Sequence, residues 1–225
     1  MTALAHYFVT DIETDGPDPA RHSMLSFASV VLREDGEICG EFEATLLPRS
    51  DRTTDERTMK WWATQPEAWA ASTDGAKDPA TVMRRYAEWV ESFPGLRAFA
   101  ARPLAFDGDW IDVYLRTFAD TFILDVSYWG RCIFSASPLD IGTYMHGVLG
   151  HTGPQMAGIA IPPDWLGNHP HTHRAIDDAR GYASLLARLF DMARQRQGEL
   201  PEFLKAHTAA GAATGTEISM KETAQ

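Results

Sequence analysis

Tyr7-Phe8-Val9-Thr10-Asp11-Ile12-Glu13-Thr14 decides the architecture of this chain. Residues 7 to 12 are largely apolar at successive positions, as in a central strand covered on both faces, until carboxylates appear at 11 and 13. Side chains alternate along a strand, so Asp11 and Glu13 project from one face of a sheet, where two like charges call for a cation. Asp15-Gly16-Pro17 then ends the strand. An Asp-x-Glu triplet alone is common on exposed strands and turns. It gains specificity from a second stretch far downstream, His173-Arg174-Ala175-Ile176-Asp177-Asp178.

Between the two, the chain alternates strand and helix signals. Met24 to Leu32 is a second apolar run, Glu34-Asp35-Gly36-Glu37 supplies a turn, and Ile38 to Leu47 alternates as a partner strand, which predicts a three-stranded antiparallel meander. Thr54-Asp55-Glu56-Arg57 carries helix-starting residues, and Trp61, Trp62 and Trp69 form an aromatic helical segment broken near Pro66. A helix is expected over Pro79 to Phe93, a buried strand over Leu96 to Ala101, a helix over Phe106 to Phe118, and a short strand over Ile123 to Val126. Pro138 to Leu149 reads as a further helix, and Gly150 to His171 as an irregular Gly/Pro/His-rich connection. Ala175 to Arg196 has the clearest helical stripe, carried by Ala175, Ala179, Tyr182, Leu186, Leu189 and Ala193. Residues 206–225 are small, polar and aperiodic, and read as a disordered tail.

Helical phase separates the acids. Consecutive helical residues point about 100° apart. Asp178 therefore joins the apolar stripe while Asp177 falls on another face, and Asp107 aligns with Trp110, Ile111, Tyr114 and Phe118 while Asp109 aligns with Asp112 and Arg116. A carboxylate on a buried face needs a partner. For each acid the plain alternative is a helix cap or a solvated carboxylate, and Asp107 suits a cap best. His173 precedes the last helix, where its imidazole can meet Asp178 and act as a general base. His169, His171 and His173 also read as a polar loop or, alternating along an extended strand, as a zinc site. The all-oxygen character of Asp11, Glu13, Asp107 and Asp178 favours hard Mg²⁺ or Mn²⁺.

At 225 residues and 44% hydrophobic content the chain suits one globular domain. Its net charge of −11 opposes a broad basic surface for long nucleic acid and limits any nucleic-acid contact to a short single-stranded end. Neither a signal segment nor a membrane segment is read in the N-terminal residues. Cys39 and Cys132 lack metal-type spacing and are expected as reduced thiols in the cytoplasm.

Thr10-Asp11-Ile12-Glu13-Thr14-Asp15-Gly16, Phe106-Asp107 with Trp110-Ile111, and His173-x-Ala175-x-x-Asp178 resemble, in order and separation, the three motifs of the DEDDh 3′-to-5′ exonucleases, relatives of proofreading domains, ribonuclease T and oligoribonuclease. The resemblance spans about residues 6 to 195. Arg174 stands where the tyrosine-type branch would have its tyrosine, which supports the histidine branch. Thr58-Met59-Lys60-Trp61-Trp62 with Gln65-Pro66 is similar to a stretch in a sub-branch that includes exoribonucleases, although aromatic core packing explains it as well as base stacking does. One departure is Arg102-Pro103-Leu104-Ala105, where the family often has Asn or His a few residues before its Phe-Asp.

The resemblance implies an α/β, ribonuclease H-like fold: a mixed central sheet of three antiparallel strands plus parallel strands, flanked by helices, over residues 1–204, with 205–225 as tail. It implies two Mg²⁺ or Mn²⁺ ions, with Asp11 bridging them, Glu13 and Asp178 completing one site, Asp107 supporting the other, and His173 deprotonating the attacking water. The backbone at Ile12 and Thr14, with Met24 or Leu25, is implied to hold the terminal nucleotide. The implied substrate is the 3′ end of short or single-stranded RNA, ahead of single-stranded DNA, and homodimers are frequent among such relatives. Two readings of other classes stay open: a catalytically silent nucleic-acid-binding module and a small-molecule metallohydrolase.

Overall fold

The strand read from Tyr7 to Ile12 extends over Ala5–Thr14 (β1) in the computed structural model, which describes residues 5–124, 130–156 and 160–197. Antiparallel pairing joins β1 to β2 (Met24–Arg33) and β2 to β3 (Ile38–Thr45), the predicted meander. Three helices follow: α1 (Glu56–Trp62), α2 (Pro66–Thr73) and α3 (Pro79–Glu91). Then come β4 (Leu96–Ala101), parallel to β1, and α4 (Leu104–Phe118). A two-residue strand β5 (Leu139–Asp140), parallel to β4, leads into α5 (Ile141–Leu149), and α6 (Ala175–Gln197) is the last described element. Sheet order is β3-β2-β1-β4-β5.

Both faces of β1 are covered, as its apolar run requires. Phe8, Ile12, Phe27, Val31 and Phe99 point to one side and pack with Tyr86 of α3 and Trp110 and Tyr114 of α4. Val9, Ala28, Val30 and Ala100 point to the other and pack with Ile141 of α5 and Ala179, Leu186 and Leu189 of α6. Strand alternation thus assigns odd positions of β1 to the α6 side, where Tyr7 meets Phe190 with ring centroids 4.7 Å apart.

Two expected elements differ. Ile123 and Leu124 lie in a bend rather than a strand, because the Ile123 N–H donates to the Asp112 carboxylate at 2.9 Å instead of to a neighbouring strand; Asp125 and Val126 lie outside the described residues. The helix expected from Pro138 starts only at Ile141, because Leu139 and Asp140 pair with Ala100 and Ala101. The aromatic segment divides into α1 and α2 around Pro66, as expected. The connection from Gly150 contains two short 3₁₀ turns, Gly153–Met156 and Pro163–Leu166, and the predicted tail falls outside the described residues. Among the described residues no helix is long and apolar enough to cross a membrane.

Asp140 joins the two halves of this end of the sheet. One oxygen accepts from the Thr143 N–H at 2.6 Å and caps α5; the other accepts from the Leu104 N–H at 2.8 Å, an otherwise orphan donor in the first turn of α4. Asp140→Ala is expected to lower stability by about 2 kcal/mol, since two helix starts lose their acceptor. Urea unfolding should show a lower midpoint at unchanged slope, whereas an unchanged midpoint would mean that water replaces both contacts.

Candidate active site

Alternation along β1 puts Asp11 and Glu13 beneath the first turn of α6, because both share the face of Tyr7 and Val9. That turn delivers Asp178, only 7% exposed, while Asp177 turns away to Thr172, whose hydroxyl donates to it at 2.7 Å, and to Arg174 and Arg180. Carboxylate oxygens of Asp11, Glu13 and Asp178 lie within 4.8 Å of one another. Asp107 approaches from the first turn of α4, whose start at the carboxyl end of β4 sets it beside β1. It does not serve as the helix N-cap, a position held by Pro103, and its Oδ2 is buried without a hydrogen-bond partner. Asp109 is exposed, as helical phase requires.

Four acids in so little water cannot all ionise unaided. Burial, followed by the charges of Asp107, Glu13 and Asp178, holds the Asp11 carboxyl well above the usual range. Burial and the same repulsion from Asp178 and Asp107 push Glu13 up to about 9. Burial pushes Asp107 to about 8 against two backbone N–H contacts, and burial raises Asp178 in opposition to His171. An orphan buried oxygen beside three converging carboxylates is the donor set of a hard divalent cation, and the residues fit one.

His173 has φ +57°, a left-handed conformation that costs a non-glycine residue about 1 kcal/mol or more. Its ring is edge-on to Trp61, with centroids 4.9 Å apart, and 4.5 Å from the ring of His171. Burial and His171 lower its affinity for a proton against the pull of Asp178, so the imidazole is neutral near pH 7 and free to accept one. His171, exposed and read from the sequence only as loop or zinc ligand, is the residue that bonds Asp178, Nδ1 to Oδ1 at 2.6 Å. Ring nitrogens of both histidines and an Asp178 oxygen lie within 4.8 Å of one another. The sole sequence signal for His171 was its alternation with His173.

Around the acids, the Trp62 Nε1–H donates to the Thr14 carbonyl at 2.9 Å and the Met24 N–H donates to the Tyr114 hydroxyl at 2.8 Å, fixing the end of β1 and the start of β2. Met24 and Leu25 are buried, so neither offers a side-chain surface to a nucleotide in this conformation. The Ile12 side chain packs on the α4 side, away from the carboxylates. Trp61, by contrast, is 38% exposed. Beside Asp178 opens a cavity of about 240 Å³ lined by Arg102, Leu166, His169, His171 and Tyr182. A larger apolar groove of about 650 Å³ lies between α5 and the far end of α6, but its Asp140 is already engaged in capping.

Sheet order and flanking helices are those of a ribonuclease H-like fold, with four acids gathered at the end of β1. The family model described as the 3′-5′ exoribonuclease Rv2179c-like domain matches residues 6–190, and the chain belongs to that family. Among solved structures it is similar to E. coli exonuclease I in a zinc-bound complex with single-stranded DNA, with 16% identity and a TM-score of 0.59 over 92% of this chain and 43% of that one. The nuclease domain of 3′hExo, a DEDDh family member bound to rAMP, gives 10% identity and 0.55 over 84% and 92%. Exonuclease I from Methylocaldum szegediense gives 20% identity and 0.51 over 91% and 43%. These likenesses establish the fold, and the chain spans less than half the length of the exonuclease I chains it matches. No curated protein matches the chain significantly.

The raised carboxyls set the sign of a pH effect. Each holds a proton in the folded state at pH values where the unfolded chain has lost it, so metal-free stability falls as pH rises from about 4 towards 9. In chelator, Tm should decline between pH 5 and 9, and the gain on adding Mn²⁺ should grow with pH; a chelator curve flat over that window would contradict the cluster.

Proposed function

We propose that the protein is a metal-dependent 3′-to-5′ exonuclease that hydrolyses short or single-stranded RNA from its 3′ end to nucleoside 5′-monophosphates. The observation that carries this is the convergence of Asp11, Glu13 and Asp178, with Asp107 behind them and His173 at the rim. The description of the matched family as exoribonuclease favours RNA. Single-stranded DNA is the second reading, because the exonuclease I neighbours include complexes with dT13 and dA16 oligonucleotides. A silent binding module is disfavoured, since such a module has no need to crowd four mutually repelling acids together. The same argument does not exclude small-molecule phosphodiesters, and the length of substrate tested decides that.

Asp11, Glu13, Asp107 and Asp178 would hold Mg²⁺ or Mn²⁺, two ions in this reading, and the bound cations would offset the charge that builds at phosphorus and on the departing 3′ oxygen. His173, neutral near pH 7, accepts the proton of the attacking water as the bond from phosphorus to the 3′ oxygen breaks. Its left-handed backbone and the edge of Trp61 hold the ring over Asp178. The cleft is small and the chain acidic, so recognition rests on a few contacts near the terminus rather than on a long charged track.

Matched 5′-labelled RNA and DNA oligomers with Mg²⁺ and Mn²⁺ should show stepwise loss of mononucleotides from the 3′ end, faster for RNA. Faster DNA cleavage would reverse the substrate order, and no cleavage of either would remove the reading. Asp178→Asn should lower kcat by at least about 10³-fold with the fold retained by circular dichroism. Full activity in that variant would reject this site.

The two histidines separate by their variants. His173→Ala is expected to lower kcat by about 10² to 10⁴-fold while leaving Mn²⁺ binding by calorimetry intact, and His171→Ala should cost far less. The reverse order would assign the proton acceptor to His171.

A further inference from the structure

Arg102 follows the sheet next to the acids by register: Thr10 pairs with Ala101, the last residue of β4, so the residue just beyond the strand emerges near Asp11 of β1. The carboxyl ends of parallel strands are where open α/β sheets receive ligands. Its guanidinium lies over the Tyr182 ring of α6, 5.6 Å from the centroid, and lines the same cavity as His171 and Asp178. Burial and the charges of Asp11 and Asp178 raise the Tyr182 hydroxyl above its ordinary range, while the charge of Arg102 and a hydrogen-bonding contact with its guanidinium lower it.

Most arginines of this chain are spent on acids: Arg21, Arg33, Arg49, Arg52, Arg116, Arg131, Arg174, Arg180, Arg188 and Arg194 each have a carboxylate within 4.0 Å. Arg102 is held differently. Asp140 contributes only a longer-range field, because its two oxygens accept from Thr143 and Leu104. Stacking on an aromatic face immobilises a guanidinium, and one that shares a hydrogen-bonding contact with the tyrosine hydroxyl still has further N–H groups of its five to offer the oxygens of a phosphate. A polyanion entering a cleft rimmed by four acids, on a chain of net charge −11, meets repulsion that a fixed local cation offsets.

Resting on the exonuclease reading above, we propose that Arg102, braced on Tyr182, binds the non-bridging oxygens of a substrate phosphodiester at or next to the scissile bond. It is a substrate-binding residue in the cavity beside Asp178.

The test uses fluorescein-labelled single-stranded RNA in a Glu13→Gln background with Mn²⁺, read by anisotropy. Arg102→Gln should weaken binding about tenfold or more and reduce the slope of log K against log salt by about 0.7, one phosphate contact on a single strand. Arg102→Lys should recover part of the loss, since it keeps the charge but not the fork. Oligomers carrying one neutral methylphosphonate at each of the three 3′-terminal linkages locate the contact: at one linkage Arg102→Gln should cost nothing further. Equal losses against all three, or an unchanged salt slope, would overturn the assignment and leave Arg102 as packing for Tyr182, which a matching fall in Tm would accompany. A folded parent protein that binds no single strand would instead defeat the exonuclease reading itself.

Discussion

Mutual repulsion among carboxylates is the constraint around which this end of the molecule is built. Two unit charges about 5 Å apart repel by on the order of 3 kcal/mol at the effective dielectric of a protein site, and here several such pairs share one space. A loop would relieve that repulsion by moving. These acids instead stand on a central strand and on the first turns of two helices, one helix clamped by interlocking aromatic rings and the other by a largely aliphatic cluster. Phe8 packs edge-on against Trp89, Phe93 and Phe134, and Phe27 against Tyr86. Beside Asp11, the Thr10, Ser29 and Tyr86 hydroxyls form a hydrogen-bonded chain that ties β1 to β2 and α3. Rigidity holds the charges together, and a cation relieves them.

The sheet was legible because its strands are long and covered on both faces, so apolar runs and turns located β1, β2, β3 and β4 within a few residues. Periodicity also set Asp178 rather than Asp177, and Asp107 rather than Asp109, on a core-facing side, and the first of each pair is the buried one. What the sequence did not reveal were contacts made by single residues without periodicity. β5 is two residues long, too short for an alternation to register, and Asp140 resembles any N-cap until Leu104 is found on its other oxygen. His171 and Arg102 reach Asp178 and Tyr182 across loops whose course no pattern specifies. Met24 and Leu25 show the opposite limit: apolar identity marks them equally for a nucleotide wall or for the core, and the core took them.

The two faces of the sheet divide the labour. The α6 side supplies Asp178 and, through the residues before the helix, both histidines; the α4 side supplies Asp107 and the arginine turn. Each set rides on its own hydrophobic cluster, and the central strands β1, β2 and β4 contribute side chains to both. Trp62 fastens the end of that strand through the Thr14 carbonyl, while its neighbour Trp61 faces out towards His173. One dipeptide thus has one ring in the core and the other exposed beside His173.

Asp177 and the arginines around it carry a consequence for assembly. Arg180 pairs with Glu41 and Arg174 with Glu43, tying the first turns of α6 to β3, which lies at the margin of the sheet. An outer strand with open backbone groups is a template for another strand, and neighbouring charged side chains discourage that addition. A second chain laid along β3 would have to be accommodated beside ion pairs that also hold α6 over the carboxylates. The crossbars that brace the helix therefore stand guard over the sheet's open margin, so solubility and the alignment of the acids depend on the same few arginines.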